Sequence, residues 1–197
     1  MYKRQRRDHS ITSLKTRWAK FNKQCMGGIE PNTVYTIAGI SGSGKSSFAN
    51  EISTDIVDLN PGEEIVILIF SLEMVGFRQV GRTLSSKLRK TTSTLYSSET
   101  DLDDDTFRKV ISVSNQLKEY PIWFVDNPTT PKEAEDIIKY FYNTYIKGTD
   151  KHFVIMYDHA LLTKPIGSVI ETMQELERVF ISAKKYPMTS VLQLCLL

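Results

Sequence analysis

The stretch that decides the fold is Gly39-Ile40-Ser41-Gly42-Ser43-Gly44-Lys45-Ser46. It follows the pattern G-x-x-x-x-G-K-[ST], in which glycines let backbone N–H groups approach a chain of phosphates closely. Lys45 supplies a positive charge for the β- and γ-phosphates, and the hydroxyl of Ser46 can bind Mg²⁺. The loop lies between a predicted strand and a predicted helix, whose N-terminus favours anions. This context predicts a nucleoside triphosphate site rather than a plain glycine-rich turn.

Around this loop, apolar runs alternate with amphipathic stretches, and Asn60-Pro61-Gly62 breaks the first helix. The predicted strands are residues 33–38, 65–70, 122–125, 153–157 and 190–194. The predicted helices are residues 45–57, 76–88, a stretch from the acids at 103–105 to about residue 118, 131–145 and 169–185. The polar residues 90–103 are predicted to form a surface loop. Such alternation predicts an α/β fold, a doubly wound and mostly parallel sheet with helices on both faces.

The composition is that of one globular domain: 197 residues, 41% hydrophobic and 24% charged. No apolar run approaches the roughly 18 residues that a membrane span needs, and the N-terminus is too polar for a signal peptide. Two cysteines, Cys25 and Cys195, make no disulfide framework. These features exclude the membrane and disulfide-rich secreted classes and predict a soluble cytoplasmic protein.

The first 24 residues are strongly basic, with eight Lys or Arg against the single acid Asp8. A basic arm can attract nucleic acid, although a solvated leader has the same composition. Leu14, Trp18 and Phe21 form an apolar stripe at helical spacing, which can pack on a neighbouring subunit or on its own domain. We therefore expect residues 1–26 to be a basic arm with a linker helix, and residues 27–197 to be the core.

Carboxylates that follow predicted strands are candidates for the chemistry of the site. An acid that helps to hold Mg²⁺ is expected at the C-terminal end of a buried strand, where both Asp126 and Asp158 stand. Asp158 is favoured because its strand is longer and more continuously apolar. Glu73 follows the run 65–71, and it would face the γ-phosphate as a general base if that strand lies beside the strand before the phosphate loop. The alternative places Glu73 in the first turn of the next helix, with Ser71 as N-cap.

Several of these segments resemble one known family, the DnaB-like (superfamily 4) replicative helicases, in their RecA-type ATPase domain. The segments that carry the resemblance are the phosphate loop, Gly27-Gly28-Ile29-Glu30-Pro31, Phe70-Ser71-Leu72-Glu73-Met74, residues 121–126, Ile155-Met156-Tyr157-Asp158-His159 and residues 187–194. Together they span residues 27–194. The string Phe70 to Met74 after a buried strand is the most specific of them.

The resemblance implies a RecA-like P-loop NTPase that uses ATP and Mg²⁺ to move on single-stranded DNA and to unwind duplex or forked DNA. Glu73 would be the catalytic base, Lys45 a phosphate-binding catalytic residue and Gln193 a sensor of the γ-phosphate. Ser46 and Asp158 would hold the metal ion, and Arg82 stands where the family often has an arginine. The residues expected to bind the triphosphate are Gly39, Ser41, Gly42, Ser43, Gly44, Lys45, Ser46 and Ser47.

The resemblance also implies a homo-oligomeric ring, usually a hexamer, in a bacterial cell or a phage-infected host, with a primase or a helicase loader as further partners. DNA would be held by the loop 163–168, with Lys164 and Ser168 as candidate contacts. Family members continue with a polar, basic segment where this chain has Cys195-Leu196-Leu197. On that comparison the chain is expected to be truncated at its C-terminus and to hydrolyse ATP poorly alone, since an arginine finger contributes roughly 10³- to 10⁵-fold in rate.

Three other functions are compatible with the same motifs. A RecA/RadA-type recombinase or a clock-like ATPase would share the core but exchange DNA strands or phosphorylate itself. A non-catalytic module would bind ATP only to assemble a complex. A small-molecule P-loop kinase is the least favoured, because the sequence shows no lid or acceptor site.

Overall fold

A computed structural model of the chain describes residues 13–97 and 101–196. Five strands form one sheet: β1 Val34–Gly39, β2 Ile65–Ser71, β3 Ile122–Val125, β4 His152–Asp158 and β5 Thr189–Leu196. Their order across the sheet is β1-β5-β4-β2-β3, and every neighbouring pair is parallel. Because the strands are parallel, their C-terminal ends all lie at the same edge. The predicted α/β fold with a parallel sheet is confirmed.

Seven α-helices form within the described residues, the first before β1 and the others between strands: α1 Ala19–Gln24, α2 Lys45–Asp58, α3 Gly76–Leu88, α4 Thr92–Tyr96, α5 Asp104–Lys118, α6 Pro131–Phe141 and α7 Val169–Ala183. The prediction of a plain loop over 90–103 is wrong at α4, which forms because the Thr91 hydroxyl accepts a hydrogen bond from the Thr94 N–H. The helix predicted over 131–145 ends as an α-helix at Phe141 and continues as a π-helix, Tyr142–Ile146.

Both faces of the sheet are covered, because every residue of β2 and β4 is buried. On one face, α6 and α7 pack against alternate residues of the strands, and Tyr157 stacks on Phe70 with ring centroids 4.9 Å apart. On the other face, Ile52 and Ile56 of α2 pack against Ile67 and its neighbours. The unbroken apolar runs in the sequence are explained by this double burial.

The segment before β1 packs on its own domain. Leu14 is fully buried and forms an antiparallel bridge with Ile29. The ring centroids of Trp18 and Phe48 are 4.6 Å apart. Because α1 begins only at Ala19, the prediction of a single helical stripe with Leu14 is wrong. Packing of this segment on a neighbouring subunit stays a prediction. Residues 1–12 of the basic arm lie outside the described residues.

One cation of this basic segment is already paired. The guanidinium of Arg17 lies 2.7 Å from the carboxylate of Asp55 and 2.6 Å from that of Glu51, both on α2. The backbone N–H of Arg17 also donates to Asp55, which is 3% exposed. Hydrogen bonding to Asp55 is the largest cause that raises the pKa of Arg17. Arg17 therefore holds the segment against α2 and is not a free cation for nucleic acid.

The Leu14–Ile29 bridge depends on the glycine at position 28. Gly28 has φ +144°, and a Cβ built on it would lie 2.0 Å from the carbonyl oxygen of Leu14. We expect Gly28→Ala to lower the free energy of unfolding by about 3 kcal/mol, since backbone cannot move aside as a flexible side chain does. Urea denaturation of both proteins would measure the loss.

The matched control is Gly62→Ala, because Gly62 also has positive φ (+95°) but no atom within 4 Å of the added Cβ. We expect Gly62→Ala to lower the free energy of unfolding only by the cost of an L residue at positive φ, about 1–2 kcal/mol. Equal losses for the two variants would contradict the steric explanation.

Candidate nucleotide-binding site

The loop between β1 and α2 has the backbone that the glycine pattern predicts. Gly42 and Gly44 adopt positive φ, +74° and +88°, in the left-handed region that glycine tolerates best. Gly44 is the N-cap of α2, which begins at Lys45. The first N–H groups of an α-helix have no partner within the helix, so this end of α2 favours a negatively charged group.

A cavity of about 250 Å³ lies over this loop, at the C-terminal edge of the sheet. The loop contributes Ser41, Gly42, Gly44, Lys45, Ser46 and Ser47 to its lining. The other lining residues are Glu73, Met74, Arg82, Asp158, His159, Leu194 and Cys195. The structure thus brings the phosphate loop together with two of the three candidate acids.

Lys45, Ser46 and Asp158 meet at the floor of the cavity. The hydroxyl of Ser46 donates to Oδ1 of Asp158 at 3.1 Å. The ammonium of Lys45 donates to the carbonyl oxygens of Gly39 and Ile40, at 2.8 and 2.9 Å, and is held at the loop. A hydroxyl beside a carboxylate is an oxygen pair of the kind that Mg²⁺ takes, with phosphate oxygens and water as its other ligands.

The electrostatics of Asp158 also suit a bound cation. Burial raises the pKa of Asp158, and the nearby negative charge of Glu73 raises it further, while the hydrogen bond from Ser46 lowers it. Asp158 is 5% exposed. Within the described residues no three His, Cys, Asp or Glu side chains cluster as a metal site. A metal ion at Ser46 and Asp158 would therefore depend on oxygen ligands from the nucleotide and from water.

Glu73 lines the cavity, although β2 is not the neighbour of β1 in the sheet. β2 does not lie beside β1, because β5 and β4 are between them. Glu73 lines the cavity nevertheless, since parallel strands all end at the same edge. The alternative that placed it in the first helical turn after Ser71 is wrong: α3 begins at Gly76 with Val75 as its N-cap, and exposed Glu73 lies in the bend before it.

Asp126 stands at the opposite side of the sheet, after the edge strand β3. Its Oδ2 accepts a hydrogen bond from the N–H of Gly76 at 3.0 Å, at the start of α3. Asp126 is exposed and is not part of the cavity lining. Of the two acids that follow strands, the structure brings Asp158 to the phosphate loop, whereas Asp126 accepts a hydrogen bond from the first N–H of α3.

The side chain of Gln193 does not line the cavity. Its amide nitrogen donates to the Sγ of Cys195 at 3.1 Å, and it is Cys195, two residues further along β5, that lines the cavity. The sequence reading did not include Cys195, Leu194 or Met74 in the site. The signal that could have found Leu194 and Cys195 is their place near the C-terminal end of β5, and for Met74 it is the bend that directly follows β2.

The two candidate DNA contacts lie away from this cavity, in the loop after β4. Lys164 is exposed, and its N–H donates to the carbonyl of Thr129 at 2.8 Å. Ser168 is the N-cap of α7 and forms a capping box with Glu171, so its hydroxyl already serves the helix. The structure leaves Lys164 open to a ligand more clearly than it does Ser168.

Comparison with known proteins gives one family and two similar structures. The family model of the DnaB-like helicase C-terminal domain matches residues 13–186. The structure of a DnaB-like replicative helicase and its interactions with primase matches with a TM-score of 0.81 and 17% identity, over 95% of this chain and 45% of that one. The structure of the ATPase domain of a phage protein matches with a TM-score of 0.80 and 15% identity, over 99% of this chain and 68% of that one.

No curated protein gives a significant match. The chain spans less than half the length of the replicative helicase and about two thirds of the phage ATPase domain. At these identities the two structures establish the shared fold. Among the helices of the described residues, none has the length and the apolar character to cross a membrane.

Proposed function

The chain belongs to the DnaB-like helicase C-terminal domain family, and on that premise we propose that it is an ATP-driven DNA helicase motor domain. Its reaction would be the hydrolysis of ATP, coupled to movement along single-stranded DNA and to duplex unwinding. The observation that supports this most directly is the cavity that joins the phosphate loop to Asp158 and Glu73. The same observation disfavours a non-catalytic ATP-binding module, because mere binding does not require a second carboxylate at the γ-phosphate end.

Five side chains of the cavity have a defined task in this proposal. Lys45 and the loop N–H groups bind the phosphate oxygens, while Ser46 and Asp158 hold Mg²⁺, which when bound neutralises charge on the phosphates. Glu73 accepts a proton from water as the water oxygen bonds to the γ-phosphorus. The bond from the γ-phosphorus to the bridging oxygen breaks at the same time, and ADP and phosphate leave. Arg82, half-buried in the same lining, adds a positive charge.

We propose the finer features on the basis of the family and the position of the loops. The chain would act in a homo-oligomeric ring, a hexamer, in the cytoplasm of a bacterial or phage-infected cell, with a primase or a helicase loader as partner. Single-stranded DNA would contact Lys164 and Ser168, because their loop follows β4 at the edge of the sheet that bears the cavity. Gln193 would report the state of the γ-phosphate through Cys195.

The test is binding of a fluorescent ATP analogue with Mg²⁺, followed by ATP hydrolysis with and without single-stranded DNA. We expect Lys45→Ala to weaken nucleotide binding about 10- to 100-fold, since a charge-assisted hydrogen bond contributes about 1.5–3 kcal/mol. Lys109→Ala, on an exposed cation of α5 outside the cavity, is the control and should bind as the unaltered chain does. Failure of the unaltered chain to bind any nucleotide would exclude the motor.

A further inference from the structure

Behind the phosphate cavity, four buried polar side chains connect α2, β2 and α3. They are Asn50, Ser71, Gln79 and Thr83, each less than a tenth exposed. The amide of Asn50 donates to the hydroxyl of Thr83 at 3.0 Å, which joins α2 to α3. The amide nitrogen of Gln79 donates to the hydroxyl of Ser71 at 3.2 Å, which joins α3 to the end of β2. None of the four has a task in the proposed reaction.

The hydrogen bond between Gln79 and Ser71 holds the turn that carries Glu73. The hydroxyl of Ser71 donates to the carbonyl oxygen of Met74, so that it closes the turn around Leu72 and Glu73. A hydroxyl has one proton, and the Gln79 amide, as a donor, leaves that proton directed at Met74. Gln79 therefore keeps Ser71 in the orientation that closes the turn.

The other end of the Gln79 amide has no protein partner. Its Oε1 is buried and accepts no hydrogen bond from the described residues, although Gln79 is only 4% exposed. Gln79 borders a second, small cavity of about 10 Å³, whose other polar neighbours are Ser46, Asn50 and Asp158. The rest of its lining is apolar: Ala49, Ile69, Met156 and Leu194. That volume is about the size that holds one water molecule, and a buried water needs two to four polar neighbours.

We propose that Gln79 is a positioning residue that joins the turn of Glu73 to the Ser46–Asp158 pair through one water molecule bound in this small cavity. The inference rests on the proposed function, since it assigns Gln79 a part in ATP hydrolysis. The amide nitrogen of Gln79 then positions the turn that carries Glu73. The amide oxygen binds the water molecule beside Ser46 and Asp158. Gln79 itself touches neither the nucleotide nor the attacking water.

The test compares Gln79→Met with Thr83→Val. Methionine has nearly the length and volume of glutamine but makes neither the hydrogen bond to Ser71 nor the one to the proposed water. Thr83 is the control, because it lies one turn further along α3 and contacts neither Ser71 nor the small cavity. Both variants remove a buried hydrogen bond, so both should lower the melting temperature. Only Gln79→Met should lower kcat, by about 10- to 100-fold, as loss of support behind metal ligands does. The Kd for Mg·ATP should stay within about twofold in both.

A crystal structure of each protein provides a readout that does not depend on activity. We expect a water molecule within hydrogen-bonding distance of Gln79 Oε1 in the unaltered chain, and none in Gln79→Met. A dry cavity would overturn the proposal, as would an equal loss of kcat in Thr83→Val or an unchanged kcat in Gln79→Met. An unaltered chain that binds no Mg·ATP would count against the proposed function, and the crystal structures would then decide the water bridge alone.

Discussion

Replacing Glu73 by Gln is expected to lower the rate of ATP hydrolysis about 10²- to 10⁴-fold, the usual contribution of a general base. The amide has nearly the shape of the carboxylate but cannot take a proton from the attacking water. Nucleotide binding should survive, because Lys45 and the loop N–H groups bind the phosphates without Glu73. Steady-state hydrolysis, together with titration of a fluorescent ATP analogue, separates the two effects.

Glu64→Gln is the matched control for this variant. Glu64 is exposed just before the other end of the same strand, β2, so that its loss leaves the cavity untouched. We expect its hydrolysis rate to equal that of the unaltered chain. If Glu73→Gln hydrolyses ATP at the normal rate, Glu73 is not the base, and the cavity would have to recruit another acceptor for the proton.

Asp158→Asn is expected to have two opposite effects, loss of hydrolysis and gain of stability. In the proposed site, Asp158 would be the buried anionic ligand of Mg²⁺. Its loss should therefore lower hydrolysis by at least about 10²-fold, because a bound metal ion supplies several kcal/mol of charge stabilisation. The folded chain, in contrast, should become more stable at pH 7, because burial raises the pKa of Asp158 and so disfavours its charged form.

The sign of the pH dependence follows from that raised pKa. Below the unfolded pKa both states are protonated, and Asp158 does not destabilise the fold. As the pH rises through the raised pKa of the folded state, the carboxylate must ionise in a buried place, and stability is lost. The melting temperature of Asp158→Asn should therefore exceed that of the unaltered chain at pH 7, and the difference should shrink toward pH 3.

Added Mg·ATP should raise the melting temperature of the unaltered chain and much less that of the variant. Equal melting temperatures at pH 7 without ligand would contradict the account of Asp158 as a buried, destabilising charge. Ser53→Ala tests whether substitution of another buried polar residue, within α2, also changes the melting temperature and the response to Mg·ATP. The hydroxyl of Ser53 donates to the carbonyl of Asn50 within the helix, and its loss should not alter the response to Mg·ATP.

Strands and the phosphate loop could be predicted because their signals are local. Six apolar residues in a row, Ile65 to Phe70, suit a strand that is buried on both faces, and Gly42 and Gly44 of the loop adopt positive φ. The bounds of α3 and β3 match the predicted ranges for the same reason. The family resemblance on Phe70 to Met74 agrees with the family match.

Strand order could not be predicted, because it depends on contacts between distant segments. Nothing near Ile65 indicates that two strands separate β2 from β1. The condition of adjacency is therefore not met, although Glu73 lines the cavity. The hydrogen bond from Gln193 to Cys195 likewise depends on the three-dimensional arrangement at the C-terminal end of β5. The roles of Gln193, Lys164 and Ser168, and the domain boundary at residue 26, stay predictions.

The attachment of Arg17 to Asp55 has a mechanical consequence. Asp55 lies about three turns along α2, the helix that starts with Lys45, so Arg17 attaches the segment before β1 to the helix whose N-terminus borders the phosphate cavity. The same segment also packs through Leu14 against Ile29 and the apolar cluster between α2 and the sheet. A displacement of this segment would therefore move α2, and with it the end of α2 that lines the phosphate cavity.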